Sequence, residues 1–112
     1  MIARTENRLW IAQRLSAAVL ALCVVVHLAT MIYAVQGGLS GGEILARTRG
    51  NVAWASFYGV FVLAAAVHAP IGLRAVLAEW LGWRSASRDV VLVLFSLALL
   101  ALGIRAVVAV FS

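Results

Sequence analysis

Two histidines lie within long apolar runs of a chain that offers few other groups able to do chemistry. His27 sits in VLALCVVVHLATMIYAV and His68 in VFVLAAAVHAPIGLRAVL. An ionisable side chain at such a position is costly to place in a membrane and marks a functional site by default. Imidazole is also a common nitrogen ligand for metals and for haem iron. Around His68 the residues have a shape. Gly72 lies one helical turn further along the same side, Ala64 and Ala65 lie near that side one turn earlier, and all three are small. Such a face admits a flat macrocycle close to the helix backbone. It equally admits a neighbouring helix, with His68 hydrogen-bonded across the contact. Pro70 removes one backbone hydrogen bond and bends the helix tolerably only where protein surrounds it. Arg74 follows at the helix edge, where its fork of donors suits a carboxylate or a quinone oxygen. The surroundings of His27 are less distinctive: Cys23, Val24, Thr30 and Met31 lie one turn away. Thr30 can serve its own backbone, and Met31 reads as packing.

The remaining chemistry is sparse. Cys23 is the one cysteine, so neither an internal disulfide nor a Cys-x-x-Cys metal pattern exists; it reads as a small packing residue. The four acidic residues, Glu6, Glu43, Glu79 and Asp89, lie near or outside the ends of the apolar runs. A catalytic triad and an intramembrane carboxylate relay are both excluded, and a small transporter would want such a carboxylate. The loop QGGLSGGEILARTRGN is glycine-rich but lacks the Lys-Ser/Thr of a phosphate loop, and reads as a flexible external connection.

The elements that position these groups follow from composition. Of 112 residues, 65% are hydrophobic and 12% charged, about half the charge of an ordinary soluble domain. Three apolar stretches, about 9–35, 52–78 and 90–111, each meet the ~20 residues needed to cross the hydrocarbon. Spanning segments of this kind must be helices. The expectation is one all-α integral membrane domain over residues 1–112, with three transmembrane helices. The first apolar run is longer than a signal-peptide core and lacks a clear cleavage site, so it reads as a retained helix. Arg4, Arg8 and Arg14 precede or open the first helix, and Arg74, Arg84 and Arg88 lie between the second and third. Arg47 and Arg49 alone occupy the first loop. This bias predicts a cytoplasmic N-terminus and a periplasmic C-terminus. Trp10, Trp54, Trp80 and Trp83 fall near helix ends, as interfacial anchors do. The net charge of +5 is absorbed by this topology and does not indicate nucleic-acid binding. Arg105, in the third span, is close enough to the C-terminal end to snorkel.

Depth relates the two histidines. Counted from the first loop, His27 lies nine residues inside Gln36 and His68 sixteen inside Val52. At ~1.5 Å per residue they differ in depth by about 10 Å. That argues against one iron bridging both within one chain and fits sites at different depths, each completed by another chain.

WIAQRLSAAVLAL and HAPIGLRAVLAEWLGW resemble the membrane anchor subunits of succinate dehydrogenase and fumarate reductase. The first helix of that family carries an Arg-x-Ser/Thr-Gly/Ala motif, here Arg14-Leu15-Ser16-Ala17. The second ends with His-x-x-x-Gly, then Leu, Ile or Met, then Arg or Trp, often followed by an acidic-aromatic pair; here it reads His68 through Gly72, Leu73 and Arg74, then Glu79-Trp80. The resemblance spans roughly residues 9–84. It implies a haem b-binding anchor that holds an iron–sulfur subunit and a flavoprotein subunit on the bacterial inner membrane and passes electrons to quinone. It further implies His68 as axial haem ligand, Arg14 and Ser16 near the quinone or the propionates, Gly72 beside the macrocycle and Arg74 near the propionates. His27-Leu28 is similar to a helix 1 histidine of the five-helix, two-haem anchors, which makes His27 a second candidate ligand and allows one or two haems. Two departures stand out. The Pro-Leu-Ser-Pro-His type segment before helix 1 is missing, and Trp10 stands where the family often places a quinone-contacting serine. The chain would pair with a second small anchor, or with a copy of itself. The alternative within the family is a haem-free structural anchor in which both histidines only pack.

Overall fold

The computed structural model describes residues 2–112. It is all-helical, with four helices and no strand among the described residues: α1 Ile2–Gln36, α2 Gly41–Thr48, α3 Val52–Leu81 and α4 Ala86–Phe111. Three of them, α1, α3 and α4, are long and apolar enough to cross a membrane. The bundle measures 50 × 24 × 22 Å. Its long axis fits helices of 26–35 residues at ~1.5 Å rise per residue.

α1 begins well before the predicted Leu9. Its polar start, Ala3–Arg8, contains no glycine or proline, and Glu6 pairs with Arg74 of α3 at 3.1 Å, which gives the extra turns something to hold. α3 continues to Leu81, where Gly82 takes the left-handed conformation (φ 65°). The Trp83 N–H then returns to the Leu77 carbonyl at 3.1 Å, a glycine-dependent helix stop.

The loop expected to be a plain flexible connection instead contains a short helix. α2 starts at Ser40, whose Oγ accepts the Glu43 N–H at 3.2 Å and donates to Glu43 Oε1 at 3.1 Å, a variant of the capping box. Thr48 Oγ1 donates to the Val110 carbonyl at 2.8 Å, and Gly50 N–H to the Phe111 carbonyl at 2.7 Å. Both acceptors belong to the last turn of α4, where carbonyls lack intrahelical partners. The sequence pattern SGGE carried the signal for α2; the glycines around it obscured it.

α3 is the central element, packed by α1 on one side and α4 on the other. Its small buried residues Ala64, Ala66 and Ala78 permit this. On α1 the shielded positions are Leu9, Ala12, Gln13, Ser16, Leu20, Cys23, His27, Thr30 and Ala34, essentially a stripe at three- and four-residue spacing. Much of the polar chemistry of α1 therefore faces protein, while Leu15, Leu22 and Val25 face outward. α4 meets α3 at Ser96, which bonds the Ala66 carbonyl, and at Gly103, which lies against Val62. At Gly103 any Cβ would overlap Val62, so glycine sets the closeness of that contact.

Pro70 illustrates how the core is completed. Proline cannot donate to the carbonyl four residues earlier, which is that of Ala66. Ser96 Oγ on α4 donates to this carbonyl at 2.7 Å.

Candidate functional site

His68 points at α1. Its Nδ1 is 3.4 Å from Ser16 Oγ. Antiparallel packing of α1 against α3 makes this contact: the same register sets Gly72 beside Gln13 and Arg74 beside Glu6. The two side-chain polar atoms that are both enclosed and unpaired among the described residues are Gln13 Oε1 and His27 Nδ1. His68 is half-buried, and its Nε2 makes no hydrogen bond among the described residues. One nitrogen of His68 is thus against a hydroxyl, and the other is unpaired. That is the usual arrangement of a metal-ligating imidazole, whose second nitrogen is oriented by a neighbour.

Of the residues implicated with His68, Ser16 and Gly72 lie beside it. A Cβ on Gly72 would come 3.3 Å from Gln13 Nε2, so the space opened by the glycine is filled by α1. Arg74 lies one to two turns further along α3, in an ion-pair cluster that joins three helices. It pairs with Glu6 of α1 at 3.1 Å and approaches Asp89 of α4 at 3.7 Å. Arg88, buried, holds Asp89 at 3.0 Å and reaches the Trp83 carbonyl at 3.4 Å. Arg14 stands apart: it is exposed, with its guanidinium 5.1 Å from the centre of the Trp10 ring, an i to i+4 cation–π pair.

His27 occupies a different environment. Its ring meets Tyr58 and Phe61 edge-on, each at 5.9 Å between centres. Thr30 Oγ1 donates to the His27 carbonyl at 2.8 Å, as the sequence suggested. Cavities of about 380 and 580 Å³ flank the ring, lined mostly by apolar and aromatic groups of α2, α3 and α4 on one side and of α1, α2 and α3 on the other. No acceptor or donor meets its enclosed Nδ1.

His27 is level with Tyr58–Phe61, seven to ten residues before His68 on α3. That separates the two imidazoles by about 10–15 Å along the bundle, so one iron cannot take both. Among the described residues no group of three or more His, Cys, Asp or Glu side chains gathers at one point.

Sequence reasoning did not find the Ser16–His68 contact, the pairing of Arg74 with Glu6 and Asp89, or the Ser96–Ala66 bond. Arg14-Leu15-Ser16 and Pro70 were visible signals. Their partners lie 52 and 30 residues away and depend on helix register.

A family model described as the succinate dehydrogenase/fumarate reductase transmembrane subunit matches residues 2–109. No curated protein and no solved structure matches the chain.

Proposed function

Because the chain belongs to the succinate dehydrogenase/fumarate reductase transmembrane subunits, we propose that it is a haem b-binding membrane anchor, with His68 as axial ligand through Nε2. The observation that carries this reading is the state of the half-buried His68 ring: Nδ1 lies against Ser16, and Nε2 has no hydrogen-bond partner among the described residues. A bound haem b supplies one-electron transfer between the iron–sulfur subunit and quinone. The chain's own residues hold and tune. His68 would hold the haem iron from this chain, and a histidine of a second anchor, or of a second copy, would supply the other protein ligand. About two turns of α3 beyond His68 stands Arg74, which is shared between Glu6 and Asp89 and would offer charge to a propionate. Arg14, exposed beside Trp10, is available to a quinone at the same end of the bundle.

His27 fits a ligand role less well. Ligation through Nε2 would leave a protonated, enclosed Nδ1 without an acceptor, at a cost of ~1–3 kcal/mol. A lining role beside the two cavities is the better account. One haem per anchor pair follows.

The arginine-rich end, which carries Arg4, Arg8, Arg14, Arg74, Arg84 and Arg88, is assigned to the cytoplasm of a bacterial inner membrane. The iron–sulfur and flavoprotein subunits dock there. The broad apolar surface, including Leu15, Leu22, Leu94 and Leu102, is left for lipid and the second anchor. The test is purification of the complex through a tag on this chain. Co-purification of a flavin-containing and an iron–sulfur subunit, with a b-type α-band on dithionite reduction, is expected. A complex that holds both subunits and turns over quinone without any haem band would favour the haem-free anchor.

A further inference from the structure

We infer that Ser16 is a positioning residue for the haem ligand: its hydroxyl accepts the Nδ1–H of His68, fixing the tautomer that presents Nε2 to iron. The inference rests on the haem reading above and extends it to a residue of α1.

The argument is one of proton bookkeeping. A serine hydroxyl has one proton to donate and can accept as well. Ser16 Oγ donates its proton to the Gln13 carbonyl at 3.1 Å. With that proton on the carbonyl, the hydroxyl is left to accept from the Nδ1–H of His68 at 3.4 Å, which is the tautomer assigned here. Neutral imidazole carries one proton, so Nε2 is left with its lone pair. Ser16 is 7% exposed, which keeps water from substituting for it. The Gln13 carbonyl lies on the same helix three residues earlier, so α1 itself aims the hydroxyl. Donation from Nδ1–H raises the basicity of the ring and favours the oxidised, more positive iron. The hydrogen bond thus lowers the haem potential and strengthens ligation. His27 is the internal contrast: it has no such acceptor.

The test compares Ser16→Ala, Ser16→Thr and His68→Ala in the intact, detergent-purified complex. The midpoint potential is read by redox titration of the α-band, and haem retention by loss of the band on prolonged dilution. Ser16→Ala should move the potential upward and weaken haem retention ~10–100-fold. Ser16→Thr, which keeps the hydroxyl, should return both toward the wild type. Should the alanine variant fail to assemble, Ser16→Cys gives the same reading, because a thiol is a weak acceptor and the potential should again rise. A wild-type potential and retention in Ser16→Ala, with the band lost in His68→Ala, overturns the role of Ser16 alone. Equal perturbation by alanine and threonine overturns it too, because packing would then be the cause. A full band in His68→Ala, or none in the wild type, removes the haem reading beneath it.

Discussion

An imidazole that binds iron needs one nitrogen free and the other held. At the scale of single residues this separates the two histidines, which look alike in the sequence. His68 has Ser16 at 3.4 Å on Nδ1, whereas the Nδ1 of His27 is enclosed and unpaired between aromatic rings. The presence and depth of both residues were legible from the apolar runs around them. Their difference was not, because it rests on which α1 residue meets which α3 residue. The same holds at Pro70. That a carbonyl is released four residues earlier can be read directly; that Ser96 satisfies it cannot. Ser96→Ala should leave the Ala66 carbonyl without a partner and cost ~1–3 kcal/mol. A lower midpoint of thermal unfolding in detergent would register this, and an unchanged midpoint would mean that the carbonyl finds another donor.

At the scale of elements, the three spans and their order follow from length and hydropathy, and observed boundaries differ from the expected ones by at most a few residues except at the start of α1. There a polar segment is helical because it faces α3, with Glu6 meeting Arg74. Both side chains are accessible and Glu6 is more than half exposed, so this pair contributes modestly. Glu6→Gln is expected to change stability by less than ~1 kcal/mol, and a larger loss in thermal unfolding would indicate a tighter role at that end. Gly103 is the opposite case. Its hydrogen lies against Val62, so Gly103→Val should force α4 away from α3 and cost ~1–3 kcal/mol, as overpacking does. Reduced yield of folded complex and a lowered unfolding midpoint are the expected signs. The short α2 escaped the hydropathy reading because its eight residues are too few to span and too glycine-flanked to stand out. It is held by side-chain caps and by the orphan carbonyls of α4.

At the scale of the whole molecule, a three-helix bundle centred on α3 buries little: no large side chain is fully enclosed among the described residues. Such a surface suits a subunit whose core is completed by lipid and by other chains. The family match over residues 2–109 says which kind of complex. Family and architecture were both legible, one from Arg14-Leu15-Ser16-Ala17 and His68 to Arg74, the other from three apolar runs. The family is that of a subunit within a larger complex, so the proposed site is best measured in the assembled complex. The most direct measurement is the dithionite-reduced minus oxidised spectrum, with haem quantified per complex, for wild type, His68→Ala and His27→Ala. The account predicts a b-type α-band of one haem per anchor pair, lost in His68→Ala and retained in His27→Ala. A band that survives in His68→Ala, or a wild-type complex without haem, would contradict it.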